Sequence, residues 1–290
     1  MSNGRTQYAR VRSLLEVPIL VEKFWSKVPE VAADAIMLDL EDSATPDNKA
    51  RARDRIVGAL GDLGYFGGRP VIVRCNNLAT PWAADDLAAL GAVDADIVVS
   101  YPKAESADEV REVRRLLKAG GSAHGLHVMI ETARAVIELD RIASVEGVVG
   151  LHFGYVDLAA DVGSKAFDGD GMFAPGNYYV QSKISIAAAA YGLFATGGSL
   201  IPDFKDLQKV RRHIQRWADL GYTGCIAVSP AHLPIINEVM APTEEEVAGA
   251  KLLSQTYEEA QARGEPAAVL NGKVITMPDY RVAKLTLARA

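Results

Sequence analysis

The chain has 290 residues, 49% of them hydrophobic and 23% charged, ordinary values for a globular protein that buries a substantial core. Its formal net charge is −6 and it carries no long basic run, which excludes the concentrated cationic patch that nucleic-acid binding needs. No stretch approaches the ~20 apolar residues of a membrane span, and the first residues lack the apolar run of a signal peptide, so a cytoplasmic location is expected. The two cysteines, Cys75 and Cys225, belong to no CxxC or Cys/His cluster and read as free thiols.

Along the chain, short apolar runs alternate with amphipathic helical stretches. Strands are predicted at 12–18, 35–42, 70–76, 96–103, 127–132, 148–157, 193–200 and 225–230. Helices are predicted at 23–31, 48–60, 82–90, 106–118, 133–143, 178–191 and 204–220. Runs that are apolar on both faces and joined by helices are the mark of buried parallel strands. Eight of them in one domain predict a closed (β/α)8 TIM barrel, a fold of roughly 250 residues, rather than an open doubly wound sheet. No GxGxxG follows the first strand, which argues against the dinucleotide-binding form of the open sheet.

The texture changes near Pro242. Thr243 and Glu246 form the S/T-x-x-E pattern of a capping box, and Gly264 supplies a helix stop. Asn271–Gly272 predicts a hairpin turn. We therefore expect a barrel domain over 1–241 and a C-terminal helical extension over 242–290, a lid that covers the barrel mouth or reaches a neighbouring subunit.

Active sites of such barrels form at the carboxyl ends of the strands. The apolar runs end on Asp39, Glu41 and Asp42, on Arg74 and Asn76, on Lys103, on Glu131 and on Asp157. Two carboxylates at adjacent strand ends, Glu131 and Asp157, together with waters and substrate oxygens, make a plausible octahedral Mg²⁺ site. Arg74 offers a planar fork suited to a carboxylate. A cation and an arginine together can hold an oxo or hydroxy acid and stabilise the charge that develops when a C–C bond breaks. His152, in mid-strand among apolar residues, reads as a hydrogen-bonded structural histidine.

The motifs occur in a telling order: R-S-L-L-x-V-P at 12–18, A-D-A-I-M-L-D-L-E-D-S-x-x-P-D-N-K at 33–49, V-I-V-R-C-N at 71–76, Y-P-K-x-E-S at 101–106, I-E-T-A at 130–133 and F-G-Y-V-D-L-A-A-D-V-G at 153–163. G-Y-T-G-x-x-A-V-S-P-A-H-L-P and A-P-T-E-E-E-V follow at 221–234 and 241–247. This set resembles the citrate lyase β-subunit-like branch of the HpcH/HpaI aldolase superfamily over nearly the whole chain.

The resemblance implies a Mg²⁺-dependent carbon–carbon lyase of the cytoplasm, commonly a homotrimer or a multiple of one, acting on 3-hydroxyacyl-CoA esters such as malyl-, citramalyl- or citryl-CoA. It implies Mg²⁺ on Glu131 and Asp157, with Arg74 holding substrate oxygens as the third catalytic residue. It sets Asp39, Glu41 and Asp42 behind these, holding waters or orienting Arg74. With Arg74 and Lys103, Asp39 and Asp42 make up the expected substrate-binding set. Arg12 and Lys49 match positions near the phosphate side of coenzyme A. Asp42 stands where the hydroxy-oxo-acid aldolases carry a histidine, which favours the lyase branch.

Three positions depart from the pattern. Ile19 replaces the glycine of V-P-G, Val156 replaces the glutamate of G-x-E-D, and Thr276 replaces the aspartate of M-I-D-x-P, which in relatives reaches a neighbouring active site. Thr276 does not titrate near neutral pH. Two alternatives accompany the lyase reading: an aldolase or lyase on a free 2-oxo or hydroxy dicarboxylic acid without CoA, and a non-catalytic homologue that binds oxo acid and Mg²⁺.

Overall fold

The computed structural model describes residue 8 and residues 10–290. Eight parallel strands close into a barrel in chain order. They are β1 (Ser13–Val17), β2 (Ala35–Asp39), β3 (Val71–Arg74), β4 (Ile97–Tyr101), β5 (Gly125–Ile130), β6 (Val148–Phe153), β7 (Phe194–Gly198) and β8 (Gly224–Ala227). Pairing of Ser13 with Cys225 and of Leu14 with Ile226 joins the last strand to the first. Every residue of β2, β3, β4, β6, β7 and β8 is buried, which is why these runs show no polar alternation. One face of the strands fills the barrel with Leu14, Met37, Ile72, Val98, Phe194 and Ile226.

The other face receives helices. Helix α1 (Ala107–Ala119) is capped by Ser106, whose hydroxyl accepts the Glu109 N–H at 3.1 Å, and buries Val110, Val113 and Leu117. Helix α2 (Leu207–Asp219) is capped by Asp206 and buries Val210, Ile214 and Trp217. Trp217 packs so closely on β7 that a Cβ at Gly197 would lie 2.3 Å from its indole, so only glycine fits there.

Three local expectations change. The helix predicted at 23–31 is a single turn, Glu22–Trp25, followed by a 3-10 turn at Val28–Glu30, because Pro29 lacks an N–H and its ring clashes with a continuing helix. The helix predicted at 133–143 is two short pieces, Ala133–Ile137 and Leu139–Ala143. The sixth strand stops at Phe153, and Asp157 lies instead in the first turn of helix α3 (Tyr155–Val162).

The chain divides into two compact units, 1–238 and 239–290. In the second, a helix over Glu244–Ala262 opens with the Thr243/Glu246 capping box and is followed by Gly264 at φ 79°. A hairpin pairs Ala268–Leu270 with Lys273–Ile275. Its turn residues Asn271 and Gly272 have φ of 50° and 76°, as a type I′ turn requires. The final helix, Met277–Arg289, begins at Thr276, whose N–H and hydroxyl both donate to Asp279 at 2.8 Å. The Asp279 carboxylate is thus engaged in starting the helix. Tyr257, Ala260, Ala268 and Ile275 form this unit's own core.

Candidate active site

The site begins with Asp39, the last residue of β2, which is fully buried. Its carboxylate accepts the backbone N–H groups of Glu41 and Ser43, both at 2.8 Å, and Nε of Arg74 at 2.7 Å. Arg74 ends β3. Its Nη2 donates to Glu16 at 3.0 Å, while Nη1 faces Glu41 at 3.2 Å and Asp42 at 3.4 Å. Burial works against the guanidinium charge, but these carboxylates, Asp39 foremost, override it and raise its pKa well above the ordinary value. Arg74 is a fixed cation whose Nη1, held more loosely than Nε and Nη2, lies between Glu41 and Asp42.

Lys103 follows β4 in the left-handed region, at φ 49°, a conformation that costs a non-glycine residue roughly 1–2 kcal/mol. That backbone turn directs its N–H to Glu131 Oε1 at 2.7 Å. Its ammonium pairs with Glu41 and lies 3.8 Å from Asp157. Glu131, directly after β5, is 3% exposed. Burial, then the nearby Glu41 and Asp157 charges, push its pKa up to about 8. Gly154, directly after β6, makes the seat for this carboxylate: a Cβ there would meet Glu131 Oε2 at 2.2 Å.

These groups open on a cavity of about 220 Å³. Glu16, Asp42, Arg74, Glu131, His152 and Asp157 supply its polar wall, and Met37, Met129, Leu200, Ile226 and Val228 its apolar one. The elevated Glu131 pKa reflects its burial first and the neighbouring Glu41 and Asp157 carboxylates second, and a divalent cation beside it would favour the ionised form against both. Among the described residues no cage of three or more His, Cys, Asp or Glu ligands exists. Two carboxylates suit Mg²⁺, which keeps several waters and is commonly held by one or two protein carboxylates.

The structure brings Arg74, Glu131, Asp157, Asp42 and Lys103 together and corrects three other assignments. Asp39 is not a substrate-binding group: its carboxylate is sealed from the cavity and occupied by Arg74 and two backbone N–H groups. Arg12 does not reach the mouth. It precedes β1, at the amino ends of the strands, and pairs with Asp34 at 2.8 Å and with the Asn237 carbonyl. Lys49 is buried, and its ammonium donates to the Leu40 and Glu41 carbonyls and to Asn76 Oδ1. All three of its protons are taken, so neither Arg12 nor Lys49 offers a free charge to a coenzyme phosphate.

Glu16 was missed. It is the lone acid inside an apolar strand, and that isolation was its legible signal. Ile19, which takes the place of a loop glycine, is wholly buried and is not among the residues lining the cavity.

Comparison with known proteins shows the family. A family model described as HpcH/HpaI aldolase/citrate lyase matches residues 12–230. The (3S)-malyl-CoA thioesterase of Cereibacter sphaeroides is 34% identical over 282 residues, covering 96% of this chain and 94% of that protein. The L-malyl-CoA/beta-methylmalyl-CoA lyase of the same species is 30% identical over 288 residues, covering 92% and 90%. The crystal structure of CitE from Mycobacterium tuberculosis in complex with magnesium, acetoacetate and coenzyme A superposes with a TM-score of 0.75 at 27% identity, covering 97% of this chain and 98% of that one. No helix among the described residues is long and apolar enough to cross a membrane.

Proposed function

We propose a reaction for this chain, which belongs to the HpcH/HpaI aldolase/citrate lyase family and to its citrate lyase β-subunit-like branch: Mg²⁺-dependent cleavage or formation of a C–C bond in a 3-hydroxyacyl-CoA ester such as malyl-, citramalyl- or citryl-CoA. The observation that carries the reading is the convergence of Arg74, Glu131 and Asp157 on one small cavity at the carboxyl ends of the strands. Glu131 and Asp157 hold the cation. When bound, Mg²⁺ supplies Lewis-acid polarisation of the substrate oxygen at which negative charge develops.

Arg74 holds the acid portion of the substrate. Its Nε and Nη2 are fixed by Asp39 and Glu16, which sets the plane of the guanidinium and points Nη1 at the ligand. Lys103 keeps Glu41 paired and places its backbone N–H on Glu131 Oε1, leaving Oε2 for the cation. The apolar wall of Met37, Met129, Ile226 and Val228 excludes water from the reacting carbons, and low polarity strengthens the fixed charges.

A second reading, thioester hydrolysis, is favoured by the thioesterase activity named for the 34% identical relative. One experiment separates the two. Malyl-CoA is incubated with the protein and Mg²⁺, and both thiol release and 2-oxo acid are followed. Glyoxylate and acetyl-CoA without free thiol support C–C cleavage. Malate and free CoA support hydrolysis. Turnover of free malate or citramalate without any CoA ester would overturn both in favour of a free-acid enzyme, and oxo-acid binding with no turnover would leave a binding homologue.

A further inference from the structure

Four strands carry a polar side chain that joins its neighbour in a single hydrogen-bonded chain. Ser100 on β4 meets His127 on β5, Oγ to Nδ1, at 3.1 Å. His127 Nε2 meets Thr196 Oγ1 on β7 at 2.9 Å. Thr196 Oγ1 meets His152 Nδ1 on β6 at 3.0 Å. Ser100, His127 and Thr196 are wholly buried, while His152 is 6% exposed and lines the cavity. His127 is further fixed by stacking on Phe194 at 5.0 Å.

Counting protons along the chain gives it a direction. In one sense, Ser100 donates to His127 Nδ1, His127 Nε2–H donates to Thr196, and the Thr196 hydroxyl donates to His152 Nδ1. Every buried donor then has an acceptor, and the His152 proton sits on Nε2. In the opposite sense the Ser100 hydroxyl has no acceptor among the described residues. An unsatisfied buried hydroxyl disfavours that arrangement by about tenfold or more. The Thr196 carbonyl also lies beside His152 and is the competitor that would draw a proton to Nδ1.

We infer that His152 is held as the neutral Nε2–H tautomer and presents that N–H to the cavity as a donor to a carboxylate or oxo oxygen of the bound acid. The tautomer stands on the hydrogen-bond chain alone; the ligand rests on the functional reading above. Of the cavity side chains that carry an N–H or O–H, Tyr155 is engaged by the Leu200 carbonyl, which leaves Arg74 and His152. Burial first, then His127 and Arg74, holds the imidazole well below its ordinary pKa, so it donates without carrying charge, as a neutral electrophilic imidazole does. Ser100, His127 and Thr196 are positioning residues that act through His152.

The test is the ¹⁵N imidazole spectrum of the intact protein. It has five histidines, and His152→Gln identifies the signal. The expected result is a protonated Nε2 and an unprotonated Nδ1, with a shift of the Nε2–H signal on addition of pyruvate and Mg²⁺. A protonated Nδ1 overturns the inference. Thr196→Val unlinks the ring and is expected to populate both tautomers; an unchanged spectrum overturns the positioning role. His152→Leu is expected to weaken pyruvate binding roughly tenfold, the loss of one useful hydrogen bond, and His152→Gln, which returns an N–H donor, to recover most of it. Equal affinity in the leucine variant overturns the ligand contact. Failure of the wild-type protein to bind pyruvate overturns the functional reading and the ligand with it, while the spectrum still decides the tautomer.

Discussion

Gly154 and Glu131 are in direct contact: the hydrogen face of Gly154 lies where a Cβ would stand 2.2 Å from Glu131 Oε2 and 2.5 Å from its Cβ. Both follow immediately on neighbouring strands, so neither backbone can retreat without breaking the β5–β6 pairing of Ile130 with Phe153. Gly154→Ala is therefore expected to displace the Glu131 carboxylate while leaving the barrel folded. Mg²⁺ affinity measured by calorimetry should fall at least tenfold, roughly 1.4 kcal/mol. Wild-type affinity in that variant would remove Glu131 from the cation site.

Asp39 provides a contrast, because it serves the site without touching the cavity. Removing its charge leaves Arg74 with Glu16, Glu41 and Asp42 still beside it, so the loss is that of a hydrogen bond between charged groups, roughly 1.5–3 kcal/mol. Asp39→Asn is expected to lower the free energy of unfolding, measured by denaturant titration, by an amount of that order, and to weaken oxo-acid binding through a loosened Arg74. A variant of unchanged stability but lost binding would return Asp39 to the substrate side.

The alternation of apolar runs with helices was enough to read all eight strands, because buried parallel strands need residues that are apolar on both faces, and AIML of β2 and VIV of β3 satisfy this up to their charged last residues. The polar ends of those runs likewise pointed to Arg74, Glu131 and Asp157. Depth was not legible. Asp39 and Asp42 are three residues apart in one motif, yet one is sealed and the other has a side chain 67% exposed, a difference set by how Arg74 folds across β2. Arg12 differs, because it heads the run 12–18 and its place at the amino end of the strand follows from chain order; only the resemblance sets it beside the coenzyme. Glu16, the lone acid of β1, and His152, the lone polar residue of β6, each show a pattern that marks either a structural hydrogen bond or a group facing the cavity, and only the closed barrel decides.

The displacement of Arg12 and Lys49 from the mouth yields a prediction of its own. Both make hydrogen bonds that hold backbone segments together, Arg12 at Asp34 and Asn237, Lys49 at Leu40 and Glu41. Lys49→Met strands buried acceptors and is expected to cost about 1–3 kcal/mol of stability. Coenzyme A affinity, measured by calorimetry on Arg12→Ala and on Lys49→Met below their unfolding temperatures, should remain at the wild-type value. A tenfold loss in either would restore that residue to the coenzyme.

The Glu131 carboxylate ties stability, cation binding and pH together. Its ordinary pKa is 4.5, and in the folded protein it is pushed up to about 8. Between those values the folded chain binds a proton that the unfolded chain has released. Stability therefore falls as pH rises through this window, since the slope follows the protons bound in the unfolded state minus those bound in the folded one. Mg²⁺ competes for the same carboxylate, so its affinity should rise with pH and level off above about 8, with release of up to one proton per ion bound. In thermal denaturation with EDTA, this group predicts a lower midpoint at pH 8 than at pH 6, whereas saturating Mg²⁺ should raise the midpoint more at pH 8 than at pH 6. Calorimetry in two buffers of different ionisation enthalpy would count the released proton directly. A Mg²⁺ affinity independent of pH across the window would show that Glu131 is not the group that the ion displaces a proton from.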